Sequence, residues 1–354
     1  MVNLCLTFLV GLIFGYFFYK IRVPGGMMVG AIIGVATLNI FFGRAYMPSY
    51  AKYAAQITAG AFIGCSVEKN DIFQLKKLIK PALFILTVLL LLNLTIGFLI
   101  YFISPLDLLT SMMSCIPGGM NDIPIISADM GADAPKVVVM QFIRMAAGIG
   151  LFPSLISIVA SRQNKKINDD LQLNTSKSIK EQAISLDFNT KSAFVRTAAV
   201  ATVCGIIGKL LNIPAGILIF SMIGVGYYKL RFDNAFMPMW TKRIAQVLSG
   251  AYIGCCISFS DVKELKYLVI PALLLLIGYF STCILGGKIL SKYFNMSTKE
   301  AMLALTPAGA SDMALISSDL GIHSTDLNVL QVIRLVVVVS VFPQIINIIV
   351  KLFG

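Results

Sequence analysis

The residues of this chain that could do chemistry fall in one pattern, written twice. Pro117-Gly118-Gly119-Met120-Asn121-Asp122, running on to Gly131, recurs as Pro307-Ala308-Gly309-Ala310-Ser311-Asp312, running on to Gly321. Asp122 corresponds to Asp312, Ser127 to Ser317 and Asp129 to Asp319. The register holds through Gln141 and Gln331, Arg144 and Arg334, and Phe152-Pro153 and Phe342-Pro343. Each copy sets a Pro/Gly break and two carboxylates in strongly apolar surroundings. Charge and broken backbone are costly at membrane depth, so the pattern reads as a functional site.

The residue types point to a solute or ion site, with no catalytic residue. Gly118, Gly119 and Gly309 permit dihedrals that other residues avoid, which predicts a turn at each tip. Asn121-Asp122 and Ser311-Asp312 are helix-capping types, so a half-helix starts after each. They act as caps alone, or they belong to a site. In such a site N–H groups and the positive dipole end hold an anion, while carbonyls ending the preceding half-helix hold a cation. Asp129 and Asp319 follow the tip aspartates by seven positions, close to two turns, and so share a face with them. They join the site, or they sit at the hairpin base near water with Gly131 and Gly321 as C-caps. Arg144 and Arg334 lie in apolar segments and need a partner: a hairpin aspartate, or a substrate carboxylate. A metal site is not expected. His323 is the sole histidine, and none of the seven cysteines forms C-x-x-C, so the cysteines read as small buried residues.

The elements that position these residues must be apolar. Of 354 residues, 57% are hydrophobic and 13% charged, a composition that excludes an ordinary soluble domain and indicates many membrane spans. The net charge of +12 suits cytoplasmic loops; without a nucleic-acid-binding motif, no nucleic-acid partner is expected. A first repeat, 1–160, carries apolar segments at 4–19, 24–42, 49–65, 82–104, a broken pair at 108–117 and 120–131, and 137–160. Segment 4–19 reads as a retained first span. A second repeat, 194–354, follows the same order: Val23-Pro24-Gly25-Gly26 returns as Ile213-Pro214-Ala215-Gly216, and Gln56, Gly60 and Gly64 return as Gln246, Gly250 and Gly254. The constant offset signals duplication. Paired Gly-x-x-x-Gly steps predict close helix packing. Residues 161–193 form a polar cytoplasmic linker.

Each half of the broken pair is about half a span long. It is either one kinked crossing, giving parallel repeats, or a re-entrant hairpin, giving inverted ones. Lys and Arg near span ends favour the cytoplasmic side. The hairpin arrangement divides the basic residues 19 to 7, whereas the all-crossing one divides the same set 16 to 10. The expected fold is therefore an all-α integral membrane protein of two inverted-topology repeats, each with five transmembrane helices and a re-entrant helical hairpin.

The duplicated motifs, with Gln56 to Cys65, Pro117 to Asp122 and Gln141 to Arg144, resemble the AbrB-duplication membrane protein family. Its members carry names such as "ammonia monooxygenase" and "regulator of aidB expression"; the small DNA-binding AbrB regulators are a different family. The arrangement is also similar to that of the glutamate:sodium and citrate:sodium symporters. That resemblance implies a transport site at Gly118, Gly119, Asn121, Asp122, Gly309, Ser311 and Asp312, and a homodimer in the cell (inner) membrane that moves its solute by an elevator motion. Met120-Asn121 and Ala308-Gly309-Ala310 depart from the symporter tips, so the substrate does not carry over. The expected function is ion-coupled secondary transport of a small anionic organic solute, with Na⁺ or H⁺ as coupling ion, no other cofactor and no enzymatic activity. The alternatives are a membrane sensor affecting gene expression and, third, a metal monooxygenase.

Overall fold

The computed structural model describes residues 2–21, 23, 25–152, 156, 188–294, 296–307 and 325–353. Gly309, Ser311, Asp312 and Asp319 lie outside the described residues, as does most of the linker. Among the described residues every regular element is helical. The first copy supplies α1 (Val2–Lys20), α2 (Gly26–Phe42), α3 (Ser49–Cys65), α4 (Lys69–Ile103), α5 (Leu108–Ser114), α6 (Ile123–Met130) and α7 (Ala134–Gly150). The second supplies α8 (Phe188–Leu210), α9 (Gly216–Phe232), α10 (Met239–Cys255), α11 (Phe259–Glu264), a 3₁₀ turn (Leu265–Leu268), α12 (Val269–Phe294), α13 (Thr298–Leu305) and α14 (Thr325–Phe353). Several boundaries differ from the sequence reading; α7, for example, runs Ala134–Gly150 where 137–160 is expected. Helix α4 starts at Lys69, not 82, and passes through Pro81. Helix α8 starts at Phe188, inside the expected linker.

Among the described residues five helical stretches are long and apolar enough to cross a membrane: Val2–Lys20, Leu78–Ile103, Ser192–Leu210, Asp261–Phe294 and Val329–Phe353. The other main helices, α2, α3, α7, α9 and α10, have 17 residues each. That length spans about 25 Å, somewhat short of a hydrocarbon core of about 30 Å.

The helices sort into two bundles, each drawing on both copies. Helices α1, α2 and α3 interleave with α8, α9 and α10: α2 packs on α10, and α3 packs on α9. The second bundle gathers α4 to α7 with α12, α13 and α14. The glycine steps explain the close packing in the first. A methyl added at Gly64 would stand 2.6 Å from the Met222 carbonyl oxygen and 2.9 Å from Gly226 N. Gly250 and Gly254 lie in the same way against Met28 and Ile32. Small residues let backbones approach and gain dispersion contact where lipid offers no hydrophobic drive. These contacts also show direction. Gly60 meets Leu218 and Gly64 meets Met222, so α3 and α9 run the same way, and by the same register α2 and α10 do too. Gly64→Val should overpack the α3–α9 contact, costing about 1–3 kcal/mol, read as a lower thermal midpoint of the purified protein. An unchanged midpoint would show that this face does not carry the packing.

Candidate functional site

The broken segment doubles back on itself. Asp107 caps α5 by accepting from Thr110 N at 3.0 Å. Pro124 lies in the first turn of α6, and Gly131, left-handed at φ 88°, ends that helix with its N–H on the Ser127 carbonyl. Just beyond, Asp133 N donates to Thr110 Oγ1 at 2.9 Å, closing the base of a helical hairpin whose tip is 115–122. The tip glycines act differently from the sequence expectation. Neither Gly118 nor Gly119 adopts a positive φ. What each supplies is space: a side chain on Gly118 would strike Ile123, and one on Gly119 would strike the Asp122 carboxylate. Asp122 stands at the N-cap of α6 yet its side chain makes no capping hydrogen bond. Capping alone does not account for it.

The C-terminal end of α5 is sealed by side chains. A helix leaves its last carbonyls unpaired and carries negative partial charge there. Asn93 Nδ2 donates to Met112 O at 3.0 Å, and Gln141 Nε2 to Met113, Ser114 and Ile116 O at 3.1–3.3 Å. Tyr279 of the other copy donates to Cys115 O at 3.0 Å. Arg144, 1% exposed, donates to Ile116 O at 2.7 Å and to Gly118 O at 2.6 Å, its guanidinium 5.9 Å from the Tyr279 ring centre. The expected aspartate partner is thus corrected: Arg144 is held by uncharged carbonyls at a negative helix end. Arg334 repeats this, donating to Ala304 and Thr306 O at 3.2 and 2.7 Å, with Gln331 on Leu303 O.

A cavity of about 350 Å³ lies between the bundles, against the tip. The hairpin side offers Asn121, Asp122 and Arg144, and the facing helices offer Ser66, Lys242 and Gln246. Asp122 and Lys242 are both half-buried. No ion pair joins them among the described residues; the Lys242 ammonium rests 4.5 Å from the Phe62 ring centre. Asn121 Oδ1 and Arg144 Nε are buried without a partner. Such atoms are unusual in a finished core and suit a site that a ligand completes. Ser66 ends α3 and Lys242 starts α10, so these helices pack antiparallel.

Asp129 is not part of that cavity. Seven residues of helix carry it about 10 Å along the axis. It pairs there with Lys52 at 3.0 Å and lines a second cavity of about 420 Å³ with Tyr53, Lys209 and Asn347. Sequence reasoning missed Lys242, Tyr279 and the Lys52–Asp129 pair. A lysine at the same place in both copies, Lys52 and Lys242, was the available signal for two of them.

Both parts of the chain, residues 1–160 and 161–350, match the family described as "Transition state regulatory protein AbrB". The chain belongs to that family. The expectation of a duplicated AbrB unit is met. Among relatives of this AbrB-family chain is the "Uncharacterized protein YhjN" of Bacillus subtilis (strain 168), 24% identical over 256 residues, 70% of this chain and 65% of the relative. The match thus spans just under two thirds of that protein's length. Another is the "Putative regulator AbrB" of Escherichia coli (strain K12), 23% identical over 331 residues, 93% of this chain and 91% of the relative.

Proposed function

We propose that this chain is an ion-coupled secondary transporter of a small anionic organic solute. The observation that carries the reading is the cavity between two bundles, faced by a carboxylate and an ammonium that make no ion pair among the described residues. Lys242 receives the anionic group of the solute, and Asp122 receives the coupling Na⁺ or H⁺. The carbonyls ending α5 do not serve the cation, because Arg144 already holds two of them. The chain sits in the cell membrane as ten crossings and two re-entrant hairpins, and works as a homodimer.

Inverted repeats are supported by helix direction. If successive helices α1 to α3 alternate, as do α8 to α10, the parallel α2–α10 and α3–α9 contacts suit a second copy that runs opposite to the first. Half-helices of 7 and 8 residues span about 10–12 Å, which brings a tip toward the bilayer midplane, where such folds hold their ligands. Two bundles that touch through few elements suit the sliding of one against the other by alternating access. Purified protein in proteoliposomes should accumulate an organic anion under an inward Na⁺ or proton gradient and stop when the gradient is collapsed. Equal accumulation without any gradient would remove the coupling.

A second reading is favoured by the names of the family and of the Escherichia coli relative: a membrane sensor that affects gene expression. Transcript changes that persist in a variant without uptake would support it.

A further inference from the structure

Polar ties across the two bundles are few, and one is an ion pair in a poorly hydrated place. Lys52 sits in α3, within the first bundle, and Asp129 ends α6 at the hairpin base, within the second. Their charged atoms are 3.0 Å apart, with side chains only 10% and 21% exposed. Two rings, of Tyr53 and Tyr252, hold the ammonium from the scaffold side at 5.5 and 5.6 Å from their centres. Elsewhere among the described residues the bundles meet through small and apolar residues, such as Ala55 and Ala245 against Ile125, and through a hydrogen bond from Gln344 Nε2 to Pro214 O. Lys136 of α7 pairs, in contrast, with Asp133 just before its own helix and with Glu264, next to the 3₁₀ turn that packs on α7 and α12.

We infer that the Lys52–Asp129 pair is a conformational latch: it fastens the hairpin base to α3 in this conformation and must open for the bundles to exchange positions. The proposal rests on the alternating-access reading above but on no particular solute. What carries it is that this little-exposed pair ties the two bundles beside the second cavity; Lys242 is the counterpart of Lys52 in the second copy. The same residue type at the same helix position is ion-paired in one copy and in the other faces an open cavity without an ion pair among the described residues. Among the described residues one end of the inter-bundle seam is thus fastened by charge, and the other carries no ion pair. A partly buried ion pair is well suited to such a device. Its attraction is strong while closed, and on opening both charges regain water, so the two conformations stay close in free energy.

The test is labelling of single introduced cysteines by a membrane-impermeant maleimide, resolved by peptide mass, in full-length protein in proteoliposomes. Asn347→Cys reports the cavity beside the latch, and Ser249→Cys reports the cavity beside Lys242. Asp129→Asn should raise labelling at 347 by roughly tenfold and lower it at 249, because opening one end closes the other. The charge swap Lys52→Asp with Asp129→Lys should restore the original pattern. Unchanged labelling in Asp129→Asn, with thermal stability retained, overturns the latch, as does a swap that fails to restore the pattern in a folded protein. Should Asp129→Asn itself fail to fold, Lys52→Gln is read by the same two reporters. The readout needs no transported solute: labelling that responds while no solute is accumulated keeps the latch and defeats transport, and the reverse result keeps transport and defeats the latch.

Discussion

Asp122→Asn is expected to abolish gradient-driven uptake and to weaken solute protection in thermal-shift assays by about ten- to a hundredfold, with little loss of folding. The substitution preserves shape and removes charge. The Asp122 side chain makes no capping bond, so α6 loses no partner when the charge goes. Gly119 leaves room for the group, and the cavity takes its place on the other side. A hydrogen bond to a charged group contributes about 1.5–3 kcal/mol, which sets the range given. If the carboxylate receives the coupling cation, the loss falls on accumulation more than on facilitated exchange, so both are measured. Asp312→Asn, at the matching position of the second copy, carries the same expectation. Normal uptake in both variants would show that the tip aspartates hold no solute or ion.

The fold was legible where local chemistry stops a helix. Gly43 follows α2, and Pro48 precedes α3, so the apolar segments 24–42 and 49–65 became Gly26–Phe42 and Ser49–Cys65. Helix α4 was misjudged because Lys69 to Lys80 read as a basic loop; charge does not prevent a helix, and Pro81 sits within it without ending it. Asp122 stood out as a carboxylate in an apolar stretch. Lys242 did not, because a lysine near a helix start reads as an exposed end, and only packing places it across from the tip. The role of Arg144 was hidden for a different reason. A search for charged partners finds only aspartates, yet the partners are backbone carbonyls, which every residue has and no sequence distinguishes. Counting the unpaired carbonyls of a seven-residue helix that ends inside the protein would have found the cation they need. The Gly-x-x-x-Gly steps were legible as packing, and packing is what they do.

Arg144→Met should give the largest loss of stability of any single change at the site, about 2–4 kcal/mol. The side chain is fully buried, and Met keeps the apolar stem while removing the end of the guanidinium and its two donors. Gly118 O then loses the one hydrogen bond recorded for it, while Ile116 O keeps Gln141 at 3.1 Å. One carbonyl therefore loses its partner just beyond the negative end of α5, and a compensating charge is lost there as well. Arg144→Lys separates charge from geometry. An ammonium restores the positive charge but cannot reach two carbonyls with a planar fork, so it should recover part of the loss, not all of it. The measurement is the thermal midpoint of purified protein, with Asp122→Asn as the comparison that removes a charge at the same tip without orphaning a carbonyl. If Arg144→Met were as stable as Asp122→Asn while uptake failed, the guanidinium would be serving the solute through its unpartnered Nε, and the closure of α5 would have to come from Gln141, Asn93 and Tyr279 alone.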